Sequence, residues 1–307
     1  MQPQRLRRSL PECVIDESMQ AFSLRSYLLF LSMAVGLIFQ GGNNYSFLIK
    51  YLVMTMLFLS LIDCRVPFKT LFHPRLWQLL GFMGGIAIAT FALFRLINAD
   101  LAIIAVLLAV TPTATAAPVV TRFLKGRVEY VMASVILTNG LMALVIPLLL
   151  PLLGNDAHSV TLGQVLNGTL VVVGVPLVLS QLLVNWAPPA LLRPLQSVKN
   201  LSFYLWIAGL YLACSKAGYF ITRETGGAQA LLGMATVALV LCAVNFGLGR
   251  WLGGSSLAQE TSQSLGQKNT MFAVWLCLTF LSPHMALGPM FYIIFQNLYN
   301  SYLMAKV

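Results

Sequence analysis

The sequence predicts an all-α integral membrane protein of about ten transmembrane helices, arranged as two inverted five-helix repeats. The fourth and ninth helices are expected to be broken and to cross at the bilayer midplane. Three observations predict this. Of 307 residues, 58% are hydrophobic and 9% charged, whereas soluble domains carry about 25% charged residues. Apolar runs recur along nearly the whole chain, and roughly 20 such residues cross hydrocarbon as a helix. Two of the runs, at matching positions in the two halves, are interrupted by polar or helix-breaking residues.

Residues 1–22 are largely polar and read as a cytoplasmic tail, with no cleavable signal peptide before the first span. The spans then follow at 25–40, 46–63, 76–96, 101–123, 128–153, 161–185, 199–217, 227–250, 258–282 and 285–305. Turn residues punctuate them at Gly41-Gly42-Asn43-Asn44, Gly154-Asn155-Asp156 and Pro188-Pro189. A β-barrel would show short alternating segments instead, and none appear. Because five is odd, a second half laid over the first enters the membrane from the opposite side. That overlay pairs span four with span nine.

Span four is interrupted at Thr111-Pro112-Thr113-Ala114-Thr115-Ala116-Ala117-Pro118. Each proline lacks a backbone N–H and disrupts the helical ladder. The hydroxyls of Thr111, Thr113, Thr115 and Thr121 can serve backbone groups that hydrocarbon cannot satisfy. Span nine is interrupted at Ser264-Leu265-Gly266-Gln267-Lys268-Asn269-Thr270, before the apolar run resumes at Met271. Lys268 is the one strongly ionic side chain expected deep in a span, where a charge costs ~2.5–3.5 kcal/mol on insertion scales and faces a cavity or pathway. Paired breaks in two halves point to the binding site of a secondary transporter.

The formal charge is +10, but its distribution orients the chain rather than binding nucleic acid. Arg5, Arg7, Arg8, Arg25, Arg65, Lys69, Arg75, Arg122, Lys125, Arg127, Arg193, Lys199, Arg250 and Lys306 fall on one side, with both termini cytoplasmic. Only Lys50, Arg95, Lys216 and Arg223 fall opposite, which is the positive-inside bias. Cysteines 13, 64, 214, 242 and 277 form no Cys-x-x-Cys pair, so neither a disulfide nor a zinc framework is expected. His73, His158 and His284 lie near span ends and read as interfacial or capping residues. No cofactor is expected. The chain also lacks a Ser/His/Asp set, a His-Glu-x-x-His motif and a phosphate-binding glycine loop, so it does not read as an enzyme.

The motifs at the two breaks resemble those of the bile acid/sodium symporter family and its bacterial homologues, over nearly the full length after the tail. The family's second crossing helix carries Glu-x-Gly-x-Gln-Asn-x-x-Leu-Ala, here Ser264-Leu265-Gly266-Gln267-Lys268-Asn269-Thr270-Met271-Phe272-Ala273. Its first carries Pro-Gly-Gly-Thr-Ala-Ser-Asn, here Pro112 to Pro118, followed by a basic residue and Gly at Lys125-Gly126. His73-Pro74, Asn245 and Gln296-Asn297 are weaker echoes. The resemblance implies a panel, about 25–63 and 161–217, beside a core, about 76–153 and 227–305, all within one transmembrane domain, 23–307. It also implies the bacterial inner membrane and transport by movement of core against panel. The candidate substrate-binding residues are Thr111, Thr113, Thr115, Pro118, Gln267, Lys268, Asn269 and Asn297.

The resemblance places sodium ligands at Ala117, Pro118, Val131, Val135, Ser264 and Lys268. Four of these are apolar, Ser264 stands for a carboxylate, and Lys268 adds a competing positive charge, so both sodium sites are expected to be lost. The expected function is therefore alternating-access transport of a small organic anion without sodium. Lys268 would replace the cation or couple a proton, since burial disfavours a lysine's charged form. A sodium-coupled organic anion symporter is the alternative. A membrane sensor or scaffold that kept the fold without transporting is the reading from another class.

Overall fold

A computed structural model describes residues 27–62, 66–153, 161–198, 201–222 and 228–306. The tail at 1–22, Cys13, Cys64, His158, Arg65, Lys199, Arg223 and the turn at Gly154 to Asp156 lie outside the described residues.

The helices are α1 (Tyr27–Ile38), α2 (Leu48–Leu61), α3 (Phe68–Leu71), α4 (Pro74–Arg95), α5 (Ala99–Val110), α6 (Ala117–Phe123) and α7 (Val128–Leu153). They continue as α8 (Leu162–Trp186), α9 (Pro189–Ser197), α10 (Leu201–Ile221), α11 (Ala228–Gly266), α12 (Thr270–Phe280) and α13 (Leu287–Met304). Each of the ten hydrophobic segments is thus helical over most of its length. Among the described residues, α4, α7, α8 and α11 are long and apolar enough to cross a membrane.

Local chemistry sets the boundaries. His73 caps α4, its Nδ1 accepting the Arg75 N–H at 3.3 Å, and Pro74 occupies the first turn, where no N–H is needed. This is the capping role expected of a histidine at a span end. Asn98 caps α5 by accepting the N–H groups of Asp100 and Leu101 at 2.8 and 3.2 Å. Thr161 and Gln164 form a capping box at the start of α8. Within α8 the ladder widens to a π-turn over Leu170–Gly174, just before Pro176, which has no N–H to donate.

α5 and α12 are apolar on every side, and all of 102–110 and 270–277 is buried. A helix apolar all round belongs inside protein rather than at a surface. Around them α4 packs on α5, α11 on α13 and α5, α2 on α8 and α10, and α7 on α6 and α8. Outward, Ile88, Leu152, Leu170 and Val178 are exposed on apolar helices, as suits faces that meet lipid. Trp77, Trp186 and Trp251 are exposed at the end that carries Arg75, Arg122, Arg127 and Arg250, where an aromatic belt meets the headgroups.

α11 is two helices joined at a kink, with Gly254 at φ 57° and Leu257 outside helical geometry. The positive φ suits glycine. The Arg75 guanidinium donates to the Gly253 carbonyl at 2.9 Å and to Ser256 Oγ at 2.7 Å, so the kink is clamped to the start of α4. The two arms fold back so closely that a Cβ on Gly249 would lie 2.5 Å from the Thr261 carbonyl oxygen. Overpacking of this kind costs about 1–3 kcal/mol. Gly249→Val is therefore expected to lower the thermal unfolding midpoint of the detergent-solubilised protein, whereas Gly247→Ala, with open space around its Cβ position, should not.

Candidate functional site

The two expected breaks are present and lie against each other. The first runs from Thr111 to Ala116, between α5 and α6; the second is Gln267 to Asn269, between α11 and α12. Thr113 and Lys268 form an isolated antiparallel bridge. The Ala114 N–H donates to the Gln267 carbonyl and the Asn269 N–H to the Pro112 carbonyl, both at 2.8 Å. Each break thus supplies the partners that the other lost on leaving the helix, as buried backbone groups require. Pro118 sits in the first turn of α6, so it starts a helix rather than kinking one.

Thr113 is the most connected side chain of the crossing. Its Oγ1 donates to the Ser264 carbonyl at 2.6 Å and lies 2.9 Å from Ser134 Oγ. Its N–H donates to Thr138 Oγ1, and its carbonyl accepts from Asn139 Nδ2, both at 3.0 Å. Ser134, Thr138 and Asn139 of α7 were not singled out from the sequence. Their signal was three buried polar residues in the middle of an apolar span, costly unless they have work to do there.

Lys268 is 1% exposed. Its N–H donates to Gln296 Oε1 at 3.0 Å, and its Nζ donates to the Ala109 carbonyl at 2.8 Å. Ala109 is in the last turn of α5, where carbonyls lack helical partners and the helix dipole is negative. The ammonium therefore caps a half-helix, and among the described residues no carboxylate pairs with it. Glu260 complements it: its Oε1 accepts the Arg127 N–H at 2.7 Å, just ahead of α7. A carboxylate at a helix start is the favourable sign of charge. The Lys125-Gly126 turn lies here, and a Cβ on Gly126 would meet Glu260 Oε1 at 3.3 Å.

The remaining candidates divide. Thr111 is buried, its Oγ1 donating to the Leu107 carbonyl at 2.6 Å. Thr115 is half-buried, and its hydroxyl takes no part in the crossing's bonds. Asn269 caps α12 by accepting the Phe272 N–H at 3.4 Å and donates to Asn139 Oδ1 at 3.5 Å. Gln267 Oε1 and Asn297 Nδ2 are buried without partners. Tyr292, also missed from the sequence, donates to the Gly266 carbonyl at 2.7 Å and accepts from Asn245.

At the positions that the resemblance assigned to sodium, Ala117 and Val131 are wholly buried in one apolar cluster, and Val135 in another beside Leu61. The Ser264 hydroxyl is buried and unpartnered. Among the described residues no group of His, Cys, Asp and Glu could hold a metal ion. Cys214, Cys242 and Cys277 are free and buried. A pocket of about 460 Å³ opens at the end of the bundle opposite Arg75, Arg122, Arg127 and Arg250. It is lined by Lys50, Gln164, Asn167, Gly168, Trp275, Thr279, Phe280 and Leu281, from α2, α8, α12 and the residue that ends α12.

An all-helical chain with membrane-length apolar helices and two broken helices that meet inside the bundle has the build of an integral membrane transporter. Residues 78–224 match the model of the Sodium Bile acid symporter family, the family that the motifs resemble. Proteins of this family are transporters of the bile acid and organic anion type, not enzymes. The match takes in the first break and α7 and ends before the second break, which the hydrogen bonds above bring beside the first. A comparison with curated proteins found no match.

Proposed function

We propose that the protein is a secondary transporter of a small organic anion that works by alternating access without sodium, as a uniporter or with a proton, and that the Lys268 ammonium stands in for the coupling cation. The observation that carries this is Lys268 Nζ, buried at the crossing on the Ala109 carbonyl with no carboxylate beside it among the described residues. A cation held only by a carbonyl and a helix dipole is under-compensated in a dry interior. An anionic solute at the crossing would supply the missing charge. Ala117, Pro118, Val131 and Val135 offer no side-chain oxygen to a hard cation, which binds through oxygen ligands.

In this reading the chain crosses the bacterial inner membrane ten times as two inverted repeats, with both termini in the cytoplasm. The core, about 76–153 and 227–305, moves against the panel, about 25–63 and 161–217. Thr111, Thr113, Thr115, Pro118, Gln267, Lys268, Asn269 and Asn297 form the substrate region. The pocket beside Lys50 is the outer vestibule, where the ammonium attracts the anion and Trp275 and Phe280 meet its apolar body.

The test is uptake into proteoliposomes of a radiolabelled panel of carboxylates and sulfonates, from short-chain to steroid-sized. It is run with sodium or choline as the cation and at two pH values. Uptake is expected to be equal in both cations. A strict sodium requirement would overturn the reading in favour of symport, and no flux of any solute would favour a sensor. Lys50→Gln is expected to raise the half-saturating concentration about threefold to fivefold, the scale of an exposed ion pair of ~1 kcal/mol or less, with the maximal rate unchanged.

A further inference from the structure

Between the second arm of α11 and α13 lies a run of buried amides, several of whose polar atoms the crossing leaves without a partner. Gln263 Nε2 donates to Asn300 Oδ1 at 3.0 Å. One turn on, the Lys268 N–H meets Gln296 Oε1 at 3.0 Å. The two pairings fix an antiparallel register that sets Asn297 between them, with Ser264 and Gln267 on the facing arm. All of these side chains are at least nine-tenths buried. Yet Gln263 Oε1, Ser264 Oγ, Gln267 Oε1, Asn297 Nδ2 and Asn300 Nδ2 have no protein partner.

Buried polar atoms are bonded as a rule, to ordered water where protein does not reach. The orphans here include both acceptors and donors. A bound cation would use oxygens alone, whereas water donates and accepts, so the set suits water. From Asn300 to Gln296 is four residues of helix, about 6 Å, or two water-to-water steps at ordinary hydrogen-bond distance. Beyond Asn300, toward the arginine-bearing end, the next turn of α13 places Met304 in an apolar cluster with Val120 and Leu124 of the α6 region.

We propose that this interface holds a file of water that runs from Gln296, beside the Lys268 backbone N–H, to the arginine-bearing end of the bundle, closed there by Met304, Val120 and Leu124. The Lys268 ammonium itself is held on the Ala109 carbonyl of α5, so the water reaches the amides and backbone of the second break. The file rests on the function proposed above only for its use.

The test reads water entry without any transported solute. In single-cysteine chains reconstituted into liposomes, Ser264→Cys is compared with native Cys277, which is buried among apolar residues of α12. The probe is 2-aminoethyl methanethiosulfonate. Ser264→Cys is expected to react at least about tenfold faster, Met304→Ser to speed that reaction further, and Asn300→Leu to slow it toward the Cys277 rate. Should Asn300→Leu not fold, as judged by gel filtration, Gln263→Met blocks the same point. Reaction at Ser264→Cys no faster than at Cys277, or insensitive to both blocking and opening variants, overturns the file. Labelling as expected with no solute flux would fail the transport reading alone; flux without labelling would fail this one.

Discussion

Lys268→Met is expected to leave the protein folded, with an unfolding midpoint equal to or above that of the parent, while uptake falls at least tenfold. Methionine follows the lysine chain as far as Cε and lacks only the Nζ atom, so at most a one-atom gap forms. What changes is charge. The parent buries an ammonium that donates to the Ala109 carbonyl, and removing a poorly compensated buried charge is often neutral or stabilising. Against this stands one charge-assisted hydrogen bond, of about 1.5–3 kcal/mol. The two nearly cancel in stability, but not in function. A tenfold loss corresponds to about 1.4 kcal/mol of differential interaction, well within what an anion loses when its counter-charge disappears. Any pH dependence of uptake should vanish with it. Thermal unfolding and proteoliposome uptake on the same preparations check both parts. A variant that unfolds readily would make Lys268 a structural residue, and retained, pH-sensitive uptake would remove it from transport.

Thr113→Val is expected to do the opposite and act on the fold itself. Valine keeps the shape and deletes the hydroxyl. The Ser264 carbonyl then loses its 2.6 Å donor and Ser134 its 2.9 Å partner, and both residues are fully buried. Orphaned buried groups cost about 1–3 kcal/mol each, so a loss of about 2–4 kcal/mol is expected. At about 2–4 °C per kcal/mol for chains of this order of size, the midpoint should drop by roughly 5–15 °C. Thr115→Val is the internal comparison. Its hydroxyl serves no such bond, and a half-buried substitution of this kind stays within about 0.5 kcal/mol. Equal midpoints for the two variants would show that the bridge between the breaks does not hold the crossing together.

The contrast between these threonines measures what could be read from the chain. Thr111, Thr113 and Thr115 alternate with Pro112, Ala114 and Ala116 and in the sequence are alike as hydroxyls near a proline. In the fold Thr111 serves its own helix, Thr113 spans to the other half of the chain, and Thr115 does neither. Sequence spacing located the break but not the direction in which each side chain leaves it. Pro118 shows the same limit: its missing N–H predicts a disruption, and in the fold it sits in the first turn of α6. Ser134, Thr138 and Asn139 escaped notice because α7 is continuous, and polar residues within an unbroken span carry no local sign of a partner. Glu260 carries no local sign of its partner either, yet it holds the Arg127 N–H just ahead of α7.

The sequence by itself determined that this is a helical membrane protein, where its hydrophobic segments run and where two of them break. Those properties follow from each residue's own hydropathy and from proline, glycine and polar residues acting within a turn or two. Only the tertiary structure decided what the breaks do. Lys268 and the Ala109 carbonyl are 159 residues apart, as Glu260 and Arg127 are 133, and no local rule joins them. They meet because a dry interior requires each freed backbone group and each helix end to find a partner, and the other half of the chain supplies it.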